Sequence, residues 1–149
     1  MSTDEAVTND LLQTLEDGRE GYTKGAEKLG QLDQPALVTT FTELAAQRQT
    51  FADELQGMAN DYGDDPDRSG SVAAALHRGW MSLTDALTKD TPKAVLEAAR
   101  QGDDHAVNEY EKALGNDDVS ADLRTVVERQ LAGIRTARDT INGLASSAD

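Results

Sequence analysis

The feature that most constrains this chain is an apolar spacing that alternates between three and four residues along four long stretches. In the first, Leu11, Leu15, Gly18, Tyr22, Gly25 and Leu29 recur at that interval and so share one face of a helix. The second carries Leu37, Phe41, Leu44, Arg48, Phe51, Leu55, Met58 and Tyr62. Two more follow, with Leu96, Ala99, Asp103, Ala106, Tyr110 and Ala113, then Leu123, Val127, Gln130, Ile134, Ala137, Ile141 and Leu144. Four amphipathic helices with a period near 3.5 predict an all-α, left-handed four-helix bundle with shallow crossing angles.

Punctuation sets the helix limits. Gly30, Gly63 and Gly115 each follow an apolar-periodic stretch and fit left-handed C-terminal caps. Thr91-Pro92 fits an N-cap followed by proline in the first turn, Ser120 can cap the last helix, and Ser69 or Ser71 can cap a third element. The expected helices are 7–29, 35–62, 71–88, 92–114 and 120–145, in one domain over 1–149 with no dividing linker. The helix at 71–88, with Val72, Leu76, Trp80, Leu83 and Leu87 on one side, lies between two tightly joined antiparallel pairs. A long crossover carrying an extra amphipathic helix between the second and third bundle helices is the ferritin-like arrangement, distinct from simple up-down-up-down.

Composition narrows the function classes. The chain has no cysteine, which removes disulfides, thiolate metal sites and cysteine catalysis. Its net charge of −14, from 28 acidic and 14 basic side chains, repels nucleic-acid backbones and anionic lipid, so neither is an expected partner. A basic protein partner or cations fit that charge, although solubility explains it more simply. No apolar run reaches bilayer length, and the acidic N-terminus does not read as a signal peptide, so a cytoplasmic location is expected. No nucleophile elbow or phosphate-binding glycine loop is present.

Three seams carry a polar interruption near mid-helix: Arg48, Asp103 and Gln130. A buried charge is costly unless paired and hydrogen-bonded. The economical expectation is that Arg48 meets Asp103, with Gln130 and Glu16 or Glu20 serving the remaining donors. The alternative is a slightly rotated seam in which these side chains snorkel to solvent.

Residues 19–55, with GYTKGAEKLG and then FTELAAQRQTFADEL, resemble the first two helices of rubrerythrin-type proteins in the ferritin-like superfamily. With GSVAAALHRGW and DDHAVNEYEKAL added, nearly the whole chain resembles a bacterial family of ferritin-like four-helix-bundle proteins of unknown function. The superfamily resemblance implies Glu-x-x-His pairs on the second and fourth helices, which ligate a di-iron centre. Here the second-helix positions fall on Arg48 and Phe51. The fourth-helix positions fall on Gln130 and Gly133, or on Arg129 and Ala132, and the first-helix carboxylate falls near Leu15 and Glu16. No Glu-x-x-His or Asp-x-x-His occurs in the chain, and a guanidinium cannot ligate a metal. The resemblance therefore implies a bundle kept and a di-metal site lost, with no cofactor. Related bundles commonly dimerise, so a homodimer is the expected assembly, and stress-associated relatives imply a stress role.

Other candidates remain. His105 and Glu109 are four apart on one helix and could share a metal, but an exposed helix-face pair is the commoner meaning. His77, Arg78 and Trp80 form either a small pocket for a partner or a structural plug at the bundle end. Asp65, Asp67 and Ser69 match the first half of a calcium loop, yet Leu76 stands where a bidentate Glu is required. The expected function is a non-enzymatic binding or structural module. The rivals are an iron or manganese oxidase, or iron-handling protein, with atypical ligands from Glu16, Glu20, Glu43, Asp103, Asp104, His105, Glu109 and Glu128, and a weak calcium-responsive module.

Overall fold

A computed structural model describes residues 2–61 and 79–148. Four long helices, α1 (Thr3–Gln31), α2 (Pro35–Asp61), α4 (Pro92–Leu114) and α5 (Ala121–Ser147), pack as a bundle, and a short helix, α3 (Met81–Ala86), lies in the α2–α4 connection.

The ends of these helices follow local chemistry, and in four places it departs from the sequence expectation. α1 begins at residue 3 rather than 7, because Ser2 accepts a hydrogen bond from the Glu5 amide at 3.1 Å and Asp4 and Glu5 favour the positive end of the dipole. Gly30 does not end α1. The left-handed residue is Asp33, with φ 58°, and the Asp33 and Gln34 amides donate back to Gly30 and Leu29 carbonyls at 3.2 and 3.0 Å. That is a Schellman closure using an acidic residue, which tolerates the left-handed region better than most side chains. Gly115 also stays right-handed, at φ −75°. Its neighbouring carbonyls are served by a side chain instead, since the Arg124 guanidinium donates to Leu114 O at 2.7 Å and Asn116 O at 2.8 Å. Gly63 lies outside the described residues. The expected helix over 71–88 does not run unbroken through residue 79, where Gly79 has φ 97°; the described part is the Trp80 cap and α3.

The buried side chains form two apolar clusters, one towards each end of the bundle. The first holds Leu11 and Leu15 of α1, Leu55 of α2, Val107 of α4 and Val127 and Ile134 of α5. The second holds Leu29, Phe41, Leu96 and Ile141, with Trp80, Leu83 and Ala86 from the connection. α1 and α5 therefore run from the first cluster to the second, and α2 and α4 run the opposite way. α4 begins at the end of the bundle where α2 began, so the α2–α4 connection returns the chain along its length. Burial of the α1 seam at Leu11, Leu15, Gly18, Tyr22, Gly25 and Leu29 matches the three-four spacing residue for residue. No helix among the described residues is long and apolar enough to cross a membrane.

Candidate functional site

Between the two apolar clusters lies a charged layer. α1 presents Gly18 and Tyr22 one turn apart, α2 presents Arg48, and α4 presents Asp103. Arg48 is 1% exposed and Asp103 is fully buried. Arg48 Nη1 donates to Asp103 Oδ1 at 2.8 Å, and the Tyr22 hydroxyl donates to Oδ2 at 2.5 Å, so both carboxylate oxygens are engaged. Arg48 Nε donates to Gln47 Oε1 at 3.0 Å, while Nη2 has no hydrogen-bond partner among the described residues. The guanidinium carbon lies 5.3 Å from the Tyr22 ring centroid, within cation–π range. A Cβ on Gly18 would come within 3.2 Å of Nη1, which explains a glycine at this point of a helical seam.

Electrostatics follow from the burial. Loss of water opposes the Arg48 charge, but the Asp103 carboxylate more than offsets it and holds the guanidinium protonated. Burial, reinforced by the Asp103 charge, pushes the Tyr22 hydroxyl well above its ordinary pKa. Tyr110 is pushed up by burial, against the opposing pull of the Arg48 charge.

Gln130 belongs to a neighbouring polar group. It accepts from the Tyr110 hydroxyl at 2.7 Å, and its amide nitrogen donates to Phe51 O at 3.2 Å and Glu54 Oε1 at 2.8 Å. Glu54 in turn pairs with Arg129 across the α2–α5 face. Burial alone would raise the Glu54 pKa, but the hydrogen bonds from Arg129 and Gln130 prevail and lower it. Glu16 and Glu20 do not serve Arg48. Both receive hydrogen bonds from Arg19, at 2.5 and 3.3 Å, because their positions on α1 are turned away from the seam occupied by Gly18 and Tyr22. The polar partners absent from the sequence reading are Tyr22, Tyr110, Gln47 and Glu54. The available signal for the first two is that a tyrosine in a core seam needs somewhere to place its hydroxyl.

Trp80 covers this layer from the connection. It is 1% exposed, so it is no surface residue. Its indole enters a notch between α1 and α4 where Cβ atoms on Gly21 and Gly102 would lie 2.2 and 2.1 Å from ring carbons. Tyr22 forms one wall, edge-on at 5.1 Å, and is itself edge-on to Phe41 at 5.0 Å. Gly79 passes so close to α4 that a Cβ there would meet His105 Cβ at 2.4 Å. His77 and Arg78, the other members of that expected cluster, lie outside the described residues, as do Asp65, Asp67 and Ser69 of the candidate calcium loop.

The candidate metal ligands do not converge. His105 Nε2 is 3.8 Å from Glu109, whereas the preceding residue, Asp104, pairs with Arg100 at 2.8 Å and lies 3.9 Å from Arg138. Glu20 is held by Arg19, and Glu43 and Glu128 are exposed on α2 and α5. Among the described residues, no group of three His, Cys, Asp or Glu side chains could hold a metal ion. Chemically, the layer can hold charge, fix two phenols and exclude water. It offers no nucleophile with an adjacent base.

No curated protein matches the chain. A family model described as a domain of unknown function (DUF2383) matches residues 5–116. That match takes in Tyr22, Arg48, Trp80 and Asp103 together with nearly all of α1 through α4, and the chain therefore belongs to the DUF2383 family.

Proposed function

We propose that this protein is a non-enzymatic, ferritin-like helical module, used for binding or structure, in which an internal ion pair stands where relatives hold two metals. The observation that carries this reading is the buried Arg48–Asp103 pair at 2.8 Å. The ferritin-like resemblance assigns a metal-ligating carboxylate to the position of Arg48, and a guanidinium supplies a fixed cation there but no lone pair. The rest of the donor set fits a metal no better. Phe51 takes the histidine position, Gln130 is engaged by Tyr110, Phe51 and Glu54, and Leu15 is apolar core. The long return connection between α2 and α4 agrees with the ferritin-like arrangement. A stress-associated role and a homodimeric state complete the proposal, and both rest on the resemblance.

The test is metal content by plasma mass spectrometry after aerobic ferrous loading and desalting, repeated with manganese. The expected result is no retained metal and an unchanged thermal midpoint. Near-stoichiometric iron or manganese, lost on Asp103→Asn or Glu109→Gln, overturns the reading in favour of an atypical metal site.

A further inference from the structure

The notch around Trp80 is unusual in how its parts are divided. Its walls come from two long, well-packed helices. Gly21 on α1 and Gly102 on α4 stand on either side of the ring, and a single methyl on either would meet ring carbons at 2.2 and 2.1 Å. The end wall, Tyr22, is fixed by its own hydrogen bond to Asp103 and by its edge contact with Phe41. The occupant, by contrast, comes from a short element. Trp80 is the N-cap of the six-residue α3, has no side-chain capping bond, and follows a glycine at φ 97°. A slot whose walls are set by other contacts is preorganised for its occupant. Apolar cavities of this kind also take up free aromatic molecules when the filling side chain is removed.

We propose that the Gly21–Gly102 notch is an indole-binding site in its own right, with Trp80 as its ligand in cis. An indole group from outside takes the site when Trp80 is withdrawn. Recognition is by shape and by the Tyr22 edge, so the ligand class is a flat bicyclic aromatic. The inference is independent of whether the bundle ever held a metal.

Free indole is the probe, and the full-length chain is the host. Trp80→Gly is melted by far-UV circular dichroism with and without indole, and binding is measured by calorimetry. The expected result is a saturable rise in the thermal midpoint with one indole per chain, or, where the variant is unfolded alone, recovery of helicity on adding indole. Indole has no such effect on the wild type, whose site is filled, nor on Trp80→Gly with Gly102→Ala, whose slot is blocked. An unresponsive Trp80→Gly variant, folded or not, overturns the proposal, as does an indole effect that survives Gly102→Ala. A second measurement needs no ligand. Trp80 is the sole tryptophan, so Gly21→Ala is expected to shift its fluorescence to the red. Unshifted emission in a fully helical Gly21→Ala protein also overturns the proposal.

Discussion

Removing one member of the Arg48–Asp103 pair is expected to be far worse than removing both. Arg48→Met leaves the Asp103 carboxylate buried with only the Tyr22 hydroxyl, and a stranded charge of this kind costs about 3–5 kcal/mol. Asp103→Leu strands the guanidinium and also leaves the Tyr22 hydroxyl without its acceptor, which adds about 1–3 kcal/mol. Asp103→Leu is therefore the costlier single change. The double variant removes both charges and keeps only the orphaned hydroxyl. Adding Tyr22→Phe removes that too, and the triple variant is expected within about 1 kcal/mol of wild type or up to about 4 kcal/mol more stable. The assay is urea unfolding followed by far-UV circular dichroism near neutral pH, closed as a double-mutant cycle. In thermal terms Arg48→Met loses about 6–20 °C and Asp103→Leu about 8–32 °C, at about 2–4 °C per kcal/mol for a chain of this size. Arg48→Met costing under about 1 kcal/mol, or a double variant costing the sum of the singles, refutes the argument that the two charges are mutually dependent.

Glycine substitutions along the bundle are expected to separate by surroundings. Gly57→Ala and Gly143→Ala, where a Cβ meets nothing within 4 Å among the described residues, each gain about 0.5–1 kcal/mol in chemical unfolding, whereas Gly25→Ala, whose Cβ would lie 2.7 Å from Phe41, loses stability. Equal effects at all three sites would remove the packing explanation. Glu54 has a folded pKa below its unfolded value of 4.5, so its contribution is present above that pH and lost as pH falls through the folded value. The stability difference between wild type and Glu54→Gln should accordingly shrink on acidification, and a difference that is flat with pH contradicts it. Tyr22 and Tyr110 have folded pKa values raised above the ordinary 10.0, so the stability they contribute is present below 10.0 and eroded as pH rises beyond it. In a Tyr62→Phe background, phenolate absorbance should grow only as helicity is lost. Phenolate formation in a still-helical protein counts against both assignments.

Much of the fold is legible in the sequence because three-four spacing fixes which face of a helix is buried. The α1 seam is the clearest case, glycines included. Spacing says nothing, however, about the height at which one helix stands against another. Arg48, Asp103 and Gln130 are visible as interruptions, but their partners depend on height. Asp103 lies level with Arg48, while Gln130 is bonded to Tyr110 and Glu54. Glu16 and Glu20 are near in sequence to the right level yet turned towards Arg19. Helix ends fail for a related reason. A left-handed glycine is the common closing residue, but here Asp33 closes α1, and at the end of α4 Gly115 stays right-handed while the Arg124 side chain, from another helix, serves the carbonyls. Neither substitution leaves a local pattern to read.

The glycines of α1 connect the site to the register of the whole bundle. Gly18, Gly21 and Gly25 each cost up to about 1 kcal/mol of helix propensity relative to alanine, a sum no local effect returns. Each instead receives one bulky group from a different part of the chain: Arg48 against Gly18, Trp80 against Gly21, Phe41 against Gly25. Arg48 and Phe41 lie seven residues apart on α2, two turns, and their sockets on the antiparallel α1 lie seven apart in the opposite direction. Sliding α2 by one turn brings the guanidinium level with Leu15 or Tyr22 and away from Asp103. It also drives Phe41 against a side chain where no space exists. A buried charge that has lost its partner costs about 3–5 kcal/mol, a large share of the stability of an ordinary domain. The ion pair and the glycine sockets thus select the same alignment by independent means, one electrostatic and one steric. Removing one partner of the ion pair, or filling one socket, is therefore expected to lower stability while keeping the register.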